Sequence, residues 1–234
     1  MELKDMPKLE SPFEREDVKD VGYVCVPKFR KEYKWILDKD KVIATEKFDG
    51  TNVSIYVENG DIKKVLNREN NIDIWKSKKR YYDGVKNAID TKKFKLYMAT
   101  DGQYFGELIG NKIQGNPYDL KEVIWLPFNY IQNHYYFKFY YDWLDENFKV
   151  LDVDVKYDLT DDFYYEKFSE LFKNLKSIYF RSKGIEKAPE GIVFYNKETR
   201  QMCKLRVDMW DWYKGNRHKW HLNKEEYICL IERK

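Results

Sequence analysis

Residues Thr45-Glu46-Lys47-Phe48-Asp49-Gly50-Thr51-Asn52 read TEKFDGTN, directly after the short apolar run KVIA. KVIATEKF has the composition of a strand. NVSIYVENGDIKKVL then alternates apolar and polar side chains around Asn59-Gly60, a strong hairpin-turn pair. Residues 42–66 are therefore expected to form a hairpin. Further strand candidates are KLYMAT, QYFGELIG, VIWLPFNYI, FKVLDVDV, GIVFYN and QMCKLRV.

Helical signals are fewer. Phe168, Leu171, Phe172 and Leu175 recur at helical spacing, which predicts a helix over about 162–177 capped by Asp161 or Asp162. A second helix is expected within IWKSKKRYYDGVKNAID. Many short strands with a few helices indicate an α+β domain of antiparallel sheets with flanking helices. No repeat, low-complexity tract or Pro/Gly/Ser linker breaks the chain, so one compact unit is expected.

The 234 residues are 43% hydrophobic and 18% aromatic, ample for a core. Net charge is only +3, so overall charge does not announce a nucleic-acid binder, although a local basic surface is compatible with it. The charged start has no signal-peptide core, and no apolar run approaches the roughly 20 residues of a membrane span. Cys25, Cys203 and Cys229 are far apart and odd in number. They indicate neither a disulfide framework nor a zinc site, and a reducing cytoplasm is the expected compartment.

A lone lysine is usually a solvated surface charge. Lys47 stands out for its company further along the chain. An amine attacks only when neutral, and its reference pKa of roughly 10.4 must be lowered by burial or nearby cations. Attack on a nucleotide phosphate also needs a ribose anchor, a flat partner for the base, cations on the phosphates and a carboxylate for a metal. Arg68 follows the second hairpin strand, Glu107 lies in YFGELIG and Phe128 closes VIWLPF. Glu190 precedes GIVFY, and Lys204 and Arg206 share one face of MCKLR.

In this order, EKFDG, NRE, FGEL, LPFN, EGIVF and CKLR resemble the motifs of the covalent nucleotidyltransferases: ATP-dependent RNA and DNA ligases and mRNA capping enzymes. The likeness is strongest to small phage-type RNA ligases of the second type, through EKFDGTN, GELIGNKIQGNPYDLKE and the opening MPKLESPFERE. It covers most of residues 6–210 and admits a viral or phage origin.

The resemblance implies an ATP-grasp-like nucleotidyltransferase domain at 1–209 with a short basic and aromatic tail at 210–234. No oligonucleotide-binding (OB-fold) domain is expected. It implies that Lys47 becomes covalently adenylylated from ATP. Glu190 would hold Mg²⁺ or Mn²⁺ and favour neutral Lys47. Lys204 and Arg206 would grip the phosphates. Glu46, Arg68, Glu107 and Phe128 would bind the nucleotide, Phe128 by stacking on the base. Asn52 belongs with them and would matter mainly once RNA is bound. The partners would be RNA with 5′-phosphate and 3′-hydroxyl ends, and a protein supplying a missing domain.

Three positions depart from the pattern: Asn129 where an acid is usual, Tyr195 where a lysine is frequent, with Lys197 as its substitute, and Arg206 where a second lysine is common. The alternatives are a small DNA ligase or capping-type enzyme, and a non-catalytic nucleotide- or RNA-binding domain of the same fold. In the tail, Trp210, Trp212 and Trp220 sit among Lys214, Arg217, Lys219 and Lys224. His218 and His221 lack the carboxylate or cysteine cluster that would support a metal site.

Overall fold

The computed structural model describes residues 2–19, 21–67, 70–76, 82–91, 94–148 and 159–214. Its strands are β1 (Phe13–Val18), β2 (Gly22–Phe29), β3 (Val42–Lys47), β4 (Thr51–Glu58), β5 (Asp61–Asn67), β6 (Asn70–Asn71), β7 (Gly102–Gly110), β8 (Val123–Pro127), β9 (Gly191–Asn196) and β10 (Met202–Arg206). Its helices are α1 (Asp83–Asp90), α2 (Phe128–His134), α3 (Lys138–Phe148), α4 (Asp161–Lys173) and α5 (Ile178–Arg181). All the strand pairings among the described residues are antiparallel, as expected for an α+β chain.

Where the sequence suggests one compact unit, the structure has two. The first comprises Met1–Lys8 and Phe48–His134, the second Leu9–Lys47 and Tyr135–Lys234. The chain passes between them inside ordinary sequence, at Lys8-Leu9, Lys47-Phe48 and His134-Tyr135, so no linker composition marks the crossings.

The first unit is a sheet in the order β6-β5-β4-β7-β8. Val53, Ile55 and Val57 alternate along β4 and are buried, as the period of two requires. Asn59 and Gly60 turn β4 into β5 with φ of 53° and 75°, the two positive values of a type I′ turn. The hairpin is thus β4–β5. Residues 42–47, expected to join it, pair with β9 in the other unit instead.

Gly106 on β7 shows why a glycine stands in FGEL. A Cβ there would meet Trp125 Nε1 and the Leu126 carbonyl oxygen, each at 2.6 Å. The Trp125 indole occupies that space and donates to the Val53 carbonyl at 3.0 Å, tying β8 to β4 across the intervening β7.

Two stretches expected as strands fold otherwise. KLYMAT forms a short 3₁₀ turn at Lys95–Met98. VIWLPFNYI is strand only to Pro127, then helix α2 from Phe128. Proline has no N–H to continue a ladder and suits a helix start. The helix expected within 74–90 is ordered as α1 from Asp83, with 77–81 outside the described residues.

The second unit contains the sheet β10-β9-β3 and the β1–β2 hairpin, which the sequence reading did not mark. Its core gathers Phe13, Tyr140, Phe168, Phe172, Phe194 and Trp210. Helix α4 is the predicted amphipathic helix, but its cap is Thr160, whose hydroxyl accepts from Phe163 N–H at 3.3 Å, rather than Asp161 or Asp162. Those acids sit in its first turn, where they complement the helix dipole. Leu175, counted as helical from its spacing, is buried just beyond the helix end.

Trp210 and Tyr213 are buried in this core, and Trp212 Nε1 donates to Ser169 Oγ at 2.9 Å. The start of the stretch read as a tail therefore packs as core. FKVLDVDV beyond Phe148, Arg217, His218, Lys219, Trp220, His221, Lys224 and Cys229 lie outside the described residues. No described helix is long and apolar enough to cross a membrane.

Gly106→Ala is expected to displace the Trp125 ring and cost about 1–3 kcal/mol, as overpacking does. A lower urea midpoint and altered tryptophan fluorescence would be the readout; an unchanged midpoint would show that β7 and β8 separate freely.

Candidate functional site

The register of the second unit's sheet assembles one group of side chains. Gly191 on β9 pairs with Lys47 on β3 and with Arg206 on β10. Val193, the next same-face position, pairs with Thr45 and Lys204. Side chains two apart along a strand share a face. Lys47, Lys204 and Arg206 therefore stand on one side of the sheet, and Glu190 enters immediately before the Gly191 rung.

Lys47 Nζ donates to Glu190 Oε2. The Lys47 side chain is 19% exposed and that of Glu190 only 4%. Arg206 Nη1 lies 4.0 Å from Glu190 Oε1, while Arg206 Nη2 donates to Asp208 Oδ2 at 2.8 Å. Burial, then the positive charges of Lys47 and Arg206, lowers the Lys204 pKa to about 8, with Glu190 opposing. Burial raises Asp208 to about 6 against the pull of Arg206. Two carboxylates and three cations thus face one another where solvent is scarce, the setting in which functional pKa shifts arise.

Asp208 is absent from the sequence reading. Its signal is modest: an acid two residues after Arg206, where the chain leaves the strand. Only the fold shows that it is buried and holds the guanidinium.

Glu46 points to the opposite face from Lys47. It is 1% exposed, and its carboxylate accepts from Ser177 Oγ at 2.5 Å, Ile178 N–H at 2.7 Å and Tyr179 N–H at 3.0 Å. It fastens β3 to the start of α5. Burial pushes its pKa up to about 7, opposed by these three hydrogen bonds.

Of the remaining predicted residues, Asn52, Glu107, Phe128 and Asn129 belong to the first unit, and Tyr195 and Lys197 to the second. Asn52 on β4 and Glu107 on β7 are partners on one rung, and Asn52 Nδ2 donates to the Gly106 carbonyl at 3.3 Å. Phe128 is half-buried at the start of α2. Asn129 donates to the Tyr97 carbonyl at 2.6 Å, a structural role for a position where an acid is usual. Lys197 donates to the Lys39 carbonyl at 3.2 Å, and Tyr195 is half-buried on β9. Arg68 lies outside the described residues.

The motif glycine is sterically fixed. A Cβ on Gly50 would stand 2.1 Å from the Leu108 carbonyl oxygen and 2.7 Å from Glu107 Cγ. Beside it, Asp49 N–H donates to Tyr118 Oη at 2.6 Å, a contact of GNPYDLKE that the sequence reading did not assign. Among the described residues, no group of three or more His, Cys, Asp or Glu is arranged to hold a metal ion.

A family model described as RNA ligase matches residues 40–214. Among solved structures, the chain is similar to the Naegleria gruberi RNA ligase with PPi, at 18% identity and a TM-score of 0.45. A mutant of that ligase with AMP and Mn matches at 17% identity and a TM-score of 0.43. Each match covers 87% of this chain and 58% of the other, so the chain spans less than two thirds of their length. No curated protein sequence matches it.

Glu46 supplies a pH test. Its folded pKa of about 7 exceeds the ordinary 4.5, so the folded state binds more protons across that interval and stability falls as pH rises. Glu46→Gln removes this dependence. The stability of wild type relative to the variant should decline by about 3 kcal/mol from below pH 4.5 to above pH 7, at 1.36 kcal/mol per unit. Denaturant melts across that range would show it; parallel pH curves would refute it.

Proposed function

The chain belongs to the RNA ligase family, and we propose on that premise that it is an ATP-dependent RNA ligase acting through a lysyl-AMP on Lys47. The observation that carries the reading is the Lys47–Glu190 ion pair, with Lys204 and Arg206 on the same face of the sheet.

In the first step, Lys47 attacks the α-phosphorus of ATP. A nitrogen–phosphorus bond forms, the bond to the bridging oxygen breaks and pyrophosphate leaves. Lys47 must first shed a proton, and the Glu190 carboxylate in hydrogen-bond reach is the acceptor. Lys204 and Arg206 offset charge on the phosphates and on the leaving pyrophosphate. Asp208 holds Arg206 in place for this. Glu46, on the other face, positions the strand that presents Lys47.

Glu190 is also assigned to holding a divalent metal, Mg²⁺ or Mn²⁺. Such ions are commonly held by one or two carboxylates with substrate phosphates and water completing the shell. When bound, the metal supplies positive charge at the phosphates. Phe128 is assigned to stacking on adenine, Arg68 and Glu107 to the ribose or nearby phosphate, and Asn52 to the RNA-bound state.

In the second step an oxygen of the RNA 5′-phosphate attacks the lysyl-AMP phosphorus, and the nitrogen–phosphorus bond breaks. In the third, a 3′-hydroxyl attacks the activated 5′-phosphate, AMP leaves and a 3′–5′ phosphodiester forms. A partner protein is the proposed source of any further RNA-binding domain these steps require.

Incubation with α-labelled ATP should label the wild type and leave Lys47→Ala blank; label persisting on that variant would overturn the assignment. GTP and NAD as donors, and RNA and DNA strands as acceptors, test the nucleotide and the strand. Asp208→Asn should slow labelling by roughly tenfold to a hundredfold, the loss expected for a hydrogen bond to a charged group. An unchanged rate with a normal melting temperature would remove Asp208 from the site.

A further inference from the structure

The second unit carries a groove of about 580 Å³ that the proposed chemistry does not use. Tyr136 and Phe139 line it with rings that remain 42% and 39% exposed. Lys138, Lys176 and Arg181 line it too, against the single carboxylate of Asp142. Lys138 forms no ion pair among the described residues. Lys176 and Arg181 approach Glu186 at 3.8 and 3.7 Å, pairs of the exposed, weak kind that leave cations available.

The groove is attached to the nucleophile strand on both walls. On one, Glu46 N–H donates to the Tyr135 carbonyl, Phe137 N–H donates to the Ala44 carbonyl, both at 2.8 Å, and Tyr136 bridges Thr45. On the other, the Glu46 carboxylate holds Ser177 and Ile178, next to Lys176. Thr45 is two residues from Lys47, roughly 7 Å along an extended strand.

Exposed rings interleaved with cations are the two elements that bind single-stranded nucleic acid, rings for the base faces and cations for the phosphates. We propose that this groove takes a single-stranded stretch of the RNA substrate, its bases stacked on Tyr136 and Phe139 and its phosphates beside Lys138, Lys176 and Arg181. The inference rests on the RNA ligase reading and adds a location for the strand. The exposed rings beside the cations favour RNA, whose flat bases alternate with phosphates, over an acidic protein segment.

The test measures fluorescence anisotropy of a 3′-labelled, 5′-phosphorylated single-stranded oligoribonucleotide across a salt series, with lysyl-AMP formation followed in parallel. The Tyr136→Ala, Phe139→Ala double variant should bind about tenfold more weakly or worse. The Lys138→Ala, Lys176→Ala double variant should lower the slope of log affinity against log salt by about 1.4. Both should form lysyl-AMP at the wild-type rate. Unchanged affinity and slope in both variants would overturn the proposal and leave the groove to another partner. Parallel loss of lysyl-AMP formation would also overturn it, by showing that the changes act through the fold. A wild type that forms no lysyl-AMP sinks the enzymatic reading instead, and the affinity measurement still decides the groove.

Discussion

The arrangement depends on one strand register. Because Gly191 lies opposite both Lys47 and Arg206, three separate stretches of chain meet on a single rung. A slip of one residue in β3 would put Lys47 where Glu46 is buried and turn Glu46 toward Lys204. Such a slip would also leave an ammonium group among the donors that Glu46 accepts from, Ser177 Oγ and the N–H groups of Ile178 and Tyr179. The buried carboxylate on one face thus fixes which face carries the amine. The apolar partners Ala44, Ile192 and Leu205, all buried, enforce the same choice.

That register also explains what could be read from the sequence. Residues 42–47 and 191–196 are legible as strands because each holds a short apolar run, and the alternation along 202–206 puts Lys204 and Arg206 on one face. Which strands pair was not legible. Adjacency made β3 look like the partner of β4, whereas it joins β9, far along the chain, and the local pattern carries no trace of that choice. Helix α3 could have been found, since Tyr140, Leu144 and Phe148 recur every four residues and are buried. The dense aromatic run around it obscured the period. VIWLPFNYI was too long for one strand with a proline inside it, and the break at Pro127 follows from the missing N–H.

The candidate site was legible in part: Lys47, Lys204 and Arg206 are strand residues, and Glu190 joins them from the position just before β9. The supporting residues were less visible. Asp208 and Ser177 have unremarkable surroundings in the sequence, and each matters through a hydrogen bond to a group distant in the chain or on another element. Glu46 was placed in the nucleotide group by resemblance. In the fold its carboxylate is spent on the start of α5, where it fixes the position of β3.

Stability alone does not account for this grouping. Taking Lys204 and Asp208 out of water penalises their charged forms, as the lowered amine and raised carboxyl pKa values register. An apolar replacement of a buried ion pair is often neutral or stabilising. A sheet that instead keeps three cations and two carboxylates around one rung is spending folding free energy on charge that is already oriented. A phosphate group entering there would meet positive charge without waiting for side chains or solvent to reorganise, which is the condition under which electrostatic stabilisation of a phosphoryl transition state is largest. The cost falls on the same strands that carry the register, so Glu46 and the core behind β9 do double service: they hold the fold, and they hold the charges against their own tendency to separate.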